Sequence, residues 1–150
     1  METKRRILVI DDEEIIGIAI GIFLKTNLLD DWVVETATTL ESGLRMAPGA
    51  FIIMLDLRLS NDWTELTTPT RIAELSQHAP VIVVTGYSDG QKTLVSTFIN
   101  DLIEKYGADN VVLKDQAFGS KVVTDMLMMA TAAVGRRLYQ KRIANFTEKA

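Results

Sequence analysis

Residues 51–60 read FIIMLDLRLS, and the fold follows from how this stretch is read. The apolar run from Phe51 to Leu55 ends on a lone carboxylate, Asp56. A short unbroken apolar run rich in Ile suits a strand buried on both faces. Charge is costly inside such a strand and cheap at its carboxyl end, where parallel sheets open to solvent and bind ligands. Asp56 is therefore either a simple strand terminator or a group placed for chemistry, and the rest of the chain must decide.

Working outward, similar runs recur. RILVI at 6–10 ends in Asp11 and Asp12, WVVETA spans 32–37, VIVVT at 81–85 ends in Thr85, and NVVL at 110–113 is followed by Lys114. Helical spacing fills the gaps. A helix is predicted over 13–28, with Ile15, Ile16, Ala19, Ile20, Phe23 and Leu24 inward. Others follow over 40–46, capped by Thr39, and over 68–77, with Pro69 in its first turn and Ile72 and Leu75 inward. A fourth covers 90–106, burying Leu94, Val95, Phe98, Leu102 and Ile103, with Gly107 as its stop, and a last one covers 119–146. Pro48-Gly49 marks a turn. Strand and helix alternate throughout, which predicts an α/β fold with a doubly wound, five-stranded parallel sheet covered on both faces. Right-handed crossovers then place every strand's carboxyl end on one edge.

Bulk properties narrow the function. At 150 residues the chain is the size of one ordinary domain with a real core. Sixteen basic and 20 acidic residues leave a net charge of −4, which argues against direct nucleic-acid binding. With no cysteine there are no disulfides, thiolate metal sites or cysteine nucleophiles, and the single His78 excludes a histidine-rich metal site. The first apolar run stops at Asp11, too short for a signal peptide, and no stretch is long enough to span a membrane. The expectation is a soluble, cytoplasmic protein.

The strand ends bring Asp11, Asp12, Asp56, Thr85 and Lys114 to one edge. Carboxylates gathered there repel one another, and a divalent cation relieves the repulsion. A hard-oxygen set without Cys or His favours Mg²⁺, which needs only one or two carboxylates plus phosphate oxygens. A carboxylate beside Mg²⁺ can attack phosphorus and form an acyl phosphate. Lys114 could pair with the negative group formed, the Thr85 hydroxyl could hydrogen-bond a phosphoryl oxygen, and Gly86 leaves room for it.

With ILVIDDE, IIMLDLRL, VIVVTG and VVLK in this order and spacing, residues 6–130 resemble the receiver domain of two-component response regulators. The resemblance implies a flavodoxin-like fold, with Asp56 as phospho-acceptor. It implies Mg²⁺ held by Asp11, Asp12 and Asp56, with the Arg58 backbone carbonyl as a further ligand. Thr85 becomes the switch hydroxyl and Lys114 the lysine that contacts the phosphoryl group. The donor would be a histidine kinase or a histidine phosphotransfer protein, and the only catalysis would be the domain's own aspartyl phosphorylation and dephosphorylation. Arg58 and Tyr87, two residues beyond Asp56 and Thr85, could overhang the phosphoryl group and slow attack by water.

The sequence also departs from that pattern. Such domains usually carry Pro after the lysine, where this chain has Asp115, and an aromatic residue shortly before it, where this chain has Val111. The loop after Asp56 lacks the usual Pro and Gly, and the Thr85–Lys114 segment is longer than in most relatives. These departures keep open a receiver-like interaction or dimerisation module that works without phosphorylation. A phosphatase of the haloacid dehalogenase type ranks lower, because it needs a second acid where Arg58 stands.

The last helix carries one apolar stripe, Val123, Leu127, Ala130, Val134 and Leu138, with Met126, Tyr139, Ile143 and Phe146 partly off it. An apolar surface wider than one stripe needs a second partner. Residues 1–135 are therefore assigned to the domain and 136–150 to a helical extension. The extension, which carries Arg136, Arg137, Lys141 and Arg142, is expected to pair in a homodimer or fold back on the body. The domain stands alone or is a piece of a larger regulator.

Overall fold

The computed structural model describes residues 4–11, 13–26, 31–56, 68–85, 100–113 and 120–149. Five strands, β1 (Arg5–Ile10), β2 (Trp32–Ala37), β3 (Ile52–Asp56), β4 (Val81–Thr85) and β5 (Asn110–Leu113), form one sheet in the order β2-β1-β3-β4-β5. Every neighbouring pair is parallel. The chain moves outward from β1 to β2 and then returns to β3 on the other side, so the winding reverses between β1 and β3. In open α/β sheets ligands bind at the carboxyl ends beside such a switch point.

Helices cover both faces. α1 (Ile15–Thr26) and α5 (Ser120–Lys149) lie on one face, where Ile20 and Val134 pack with Ile7, Val9, Ile52, Met54, Ile82 and Val84. α2 (Leu40–Met46), α3 (Thr68–Ser76) and α4 (helical over 100–104) cover the other. There Leu40, Ile72, Leu75 and Leu102 pack with Leu8, Ile10, Ile53, Leu55, Val81 and Val83. The two sets alternate along each strand, as the two-residue period of a pleated strand requires. Both faces of the central strands are apolar because both are covered, which is why β3 and β4 read as apolar runs.

Local chemistry sets the element ends. The Thr39 hydroxyl accepts the Ser42 N–H at 3.1 Å and caps α2. Gly49 and Gly107 both have φ +84, where L residues are strained, so the turn after α2 and the stop after α4 need glycine. Within α2, a Cβ on Gly43 would come within 2.4 Å of Ile10 Cδ1, so glycine lets this helix sit close to β1.

Two arginines fasten the end of the sheet opposite the site. Arg6 donates to Glu35 Oε2 at 2.9 Å, Met46 O at 2.8 Å and Pro48 O at 3.0 Å, tying β1 to β2 and to the end of α2. Arg137 on α5 donates through Nε to Asp109 Oδ1 at 3.0 Å, through Nη1 to Ser76 O at 2.7 Å and through Nη2 to Ser76 Oγ at 2.8 Å and to Asp109 Oδ2. Asp109 Oδ2 also accepts the Val81 N–H at 2.8 Å. One carboxylate thus joins the start of β4, the approach to β5 and α5.

Some faces differ from the sequence reading. Ile15, placed inward by helical spacing, is 65% exposed, while Ile20 is fully buried. α1 is apolar on every side, so spacing alone could not choose its inner face. Ile103 is exposed beside fully buried Leu102, since neighbours in a helix point in directions about 100° apart. Leu138, at the end of the apolar stripe of α5, is 64% exposed. The helix runs unbroken across residues 135 and 136, and Arg137 still grips the body. Beyond it, residues 138–146 are all exposed. Among the described residues no helix is long and apolar enough to cross a membrane.

Candidate functional site

The site is built by register. Ile10 of β1 pairs with Leu55 of β3, and Asp56 pairs with Val84 of β4. Asp11 directly follows Ile10, so Asp11 and Asp56 stand level at the carboxyl ends of adjacent strands, on either side of the switch point. Thr85, the last residue of β4, pairs with Leu113, the last of β5, one step beyond that level. Three strand ends thus bring two carboxylates and one threonine position to the same edge.

Burial separates these acids from the rest. Asp11 and Asp56 are 1% and 6% exposed and are the buried charged residues of the described chain. Burying a carboxylate is costly unless other groups compensate it, so two at neighbouring strand ends are a feature that packing alone does not produce. Asp11 is fixed locally: its backbone N–H donates to Ala37 O at 2.9 Å, and its Oδ1 accepts the Glu13 N–H at 2.8 Å. That second bond turns the chain from β1 into α1 and holds the carboxylate in place.

Such a pair suits a hard divalent cation, which binds carboxylate oxygens and retains water. Among the described residues no group of three His, Cys, Asp or Glu side chains is gathered that could hold a metal ion. Asp12, Arg58, Tyr87, Lys114 and Asp115 lie outside the described residues, as do the side chain of Thr85 and Gly86. The donor chemistry of Asp11 and Asp56 fits Mg²⁺, but two carboxylates are the whole of the described set.

Two features escaped the sequence reading. The Arg137–Asp109 clamp joins residues 28 positions apart and has no local signature. The outward isoleucines of α1 were hidden by the uniform hydrophobicity of that helix.

The architecture is the receiver fold of response regulators. A response regulator from Burkholderia pseudomallei, solved with a phosphorylated aspartic acid, calcium ion and citrate, superposes with a TM-score of 0.60 at 24% identity, over 95% of this chain and 75% of that one. A response regulator receiver domain protein from Clostridium thermocellum gives 0.59 at 23% identity, over 91% and 98%. A structure described as an adenylate cyclase from Rhodopirellula baltica gives 0.65 at 16% identity, over 98% and 99%. No protein-family profile and no curated protein sequence matches the chain. Likeness at this level of identity carries the fold, and function has to be argued from the site.

Proposed function

We propose that this chain is a receiver domain that accepts a phosphoryl group on Asp56. The observation that carries the reading is the buried Asp11–Asp56 pair at the switch point, with Thr85 ending the next strand. In the reaction an Asp56 carboxylate oxygen attacks the phosphorus of a phosphohistidine. The P–N bond breaks, its electron pair returns to the imidazole nitrogen, and Asp56 becomes an acyl phosphate. The donor is a histidine kinase or a histidine phosphotransfer protein, and the setting is cytoplasmic. The protein is no turnover enzyme: it catalyses only its own phosphorylation and dephosphorylation.

Asp11, Asp12, Asp56 and the Arg58 carbonyl would hold Mg²⁺, which when bound neutralises charge on the phosphoryl oxygens. Thr85 and Lys114 take up the phosphoryl group once it is transferred. Arg58 and Tyr87 shield the acyl phosphate from water, so Arg58→Ala and Tyr87→Ala shorten its lifetime; unchanged decay in both removes them from this role.

The central test is phosphate incorporation from a small acyl phosphate in the presence of Mg²⁺. Wild type is labelled and Asp56→Asn is not. Equal labelling of the two, or none in wild type, overturns the reading. Val111 gives a second reading some weight. It is half-buried against the core and occupies the place where the resemblance calls for an aromatic switch. A module that binds its partner equally well with and without phosphorylation would match that reading.

The exposed Leu138, Tyr139, Ile143 and Phe146 support a homodimer through the C-terminal helix. Sizing with and without residues 138–150, a cut that keeps the Arg137 clamp, tests it, and a monomer in both forms rejects it.

A further inference from the structure

α1 is apolar on the side that faces water. Ile20 is fully buried against the sheet, whereas Ile15, Ile18 and Ile22 are 65%, 57% and 62% exposed. At about 100° per residue these three fall in one narrow arc opposite Ile20. No charged residue occurs from Ile15 to Leu24. A helix apolar on all sides belongs in an interior, yet one side of this one has no covering within the described chain.

Glu14, Ile18, Ile22 and Lys25 follow one another along one edge of that side. Among the described residues neither Glu14 nor Lys25 has an ion-pair partner. Beside this row an open groove of about 650 Å³ runs between α1 and the edge strand β2, and Glu14, Ile18, Gly21, Lys25 and Trp32 border it. Among the described residues Gly21 has no internal reason to be glycine: an added Cβ meets none of them within 4 Å. Glycine within a helix costs about 1 kcal/mol relative to alanine, so its open space is a place for another chain to approach.

We propose that the α1 face is a self-association surface, on which α1 of a second copy packs antiparallel across a two-fold axis. Antiparallel pairing sets Glu14 against Lys25 of the second copy at both ends, and Ile18 against Ile22 of the second copy in the middle. The two pairings centre within half a residue of each other, at Ile20 and just before it. A parallel pair would set Glu14 against Glu14 and Lys25 against Lys25, so charge selects the antiparallel arrangement. A two-fold contact must be complementary to itself, and this row is. α5 packs beside α1 on the same face of the sheet, so one axis can serve both this contact and the one proposed for residues 136–150. The α1 contact depends on neither the extension nor the phosphoryl chemistry.

The test is sedimentation equilibrium of the full chain. Wild type dimerises, and Ile18→Lys weakens the dimer by about a hundredfold, because an ammonium would be buried without a partner. Unchanged circular dichroism for Ile18→Lys, expected since the residue is exposed, shows that the fold is kept. Glu14→Lys and Lys25→Glu each weaken the dimer, and the double variant Glu14→Lys/Lys25→Glu restores it. Removal of residues 138–150, a cut that keeps the Arg137 clamp, leaves the α1-dependent dimer in place, so failure of the extension contact is distinguishable from failure of this one. A monomeric wild type, including one that binds neutral lipid vesicles or a different protein through the isoleucines, overturns the proposal. A dimer unaffected by Ile18→Lys does so as well, and a double charge swap without rescue overturns the antiparallel register.

Discussion

Replacing Arg137 by alanine should cost the protein a substantial share of its stability, although the residue lies far from the candidate site. The guanidinium makes four hydrogen bonds, two to Asp109 and two to Ser76. The Arg137 and Asp109 side chains are 31% and 14% exposed, so the pair lies between the surface and interior cases. Exposed ion pairs contribute about 0–1 kcal/mol, and breaking a fully buried one costs about 3–5 kcal/mol. In the variant Asp109 keeps the Val81 N–H but loses its cation, and the Ser76 carbonyl loses a donor. A loss of about 2–3 kcal/mol follows. At this chain length each kcal/mol shifts Tm by about 2–4 °C, so melting should fall by about 5–10 °C. Arg137→Lys should recover little, because one ammonium cannot reach both Asp109 oxygens and Ser76 together. Thermal melts at fixed protein concentration give the single effects. A cycle with Asp109→Asn gives the coupling, expected above about 1 kcal/mol. A Tm drop under about 2 °C, or additive single effects, would refute the argument that the clamp holds α5 to the body.

Glycine-to-alanine changes should act with opposite signs at two helical positions. Gly43→Ala drives a Cβ to within 2.4 Å of Ile10 and should cost about 1–3 kcal/mol in urea denaturation, whereas Gly135→Ala meets none of the described residues and should gain up to about 1 kcal/mol. If Asp11 and Asp56 help to hold Mg²⁺, the metal should raise Tm in wild type: a concentration ten times Kd adds about 1.4 kcal/mol, or about 3–6 °C. Asp11→Asn should lose that rise, and an equal rise in the variant places the metal elsewhere. If Asp56 accepts a phosphoryl group as proposed, hydrogen exchange should show phosphorylation altering protection in residues 120–149 of wild type. Asp109→Ala should still accept phosphate but lose that change, and an identical response in both would remove Asp109 from the output route.

The sequence is most legible where burial is two-sided. The apolar run at 81–85 coincides with β4, whose residues 81–84 are buried, since a parallel strand under helices on both sides has no polar face to interrupt it. Thr39, Gly49 and Gly107 marked turns because their backbone roles are local. The same uniform hydrophobicity that reveals a buried strand conceals a helix face. Ile15 and Ile20 are the same residue type, and only their packing shows that one meets the sheet and the other water. At the site, Asp11 and Asp56 were readable because each ends an apolar run. Their placement at one level required the Ile10–Leu55 register. Arg137 and Asp109 each resemble ordinary surface charges until the fold sets them together.

The absence of an aromatic residue at Val111 bears on how a signal would leave Asp56. Val111 pairs with Val83 and packs against the core beneath α2 to α4, and its short branched side chain has no ring to swing between core and solvent. A relay built on exchange of a ring at position 111 is therefore closed to this chain. What remains is the sheet itself. Asp56 is paired with β4, β4 with β5, and α5 contacts both of those strands. At the far end of the same strands, Asp109 binds the first N–H of β4 and the guanidinium of α5 in one carboxylate. A small displacement of β4 and β5 at the phosphoryl end would then meet α5 along the strands and again at the clamp. The helix would respond as a rigid lever whose exposed end begins at Leu138. In this arrangement Arg137 would be the point where motion of the sheet becomes motion of the extension. That is the physical reason to expect α5, rather than a side-chain switch, to carry the output.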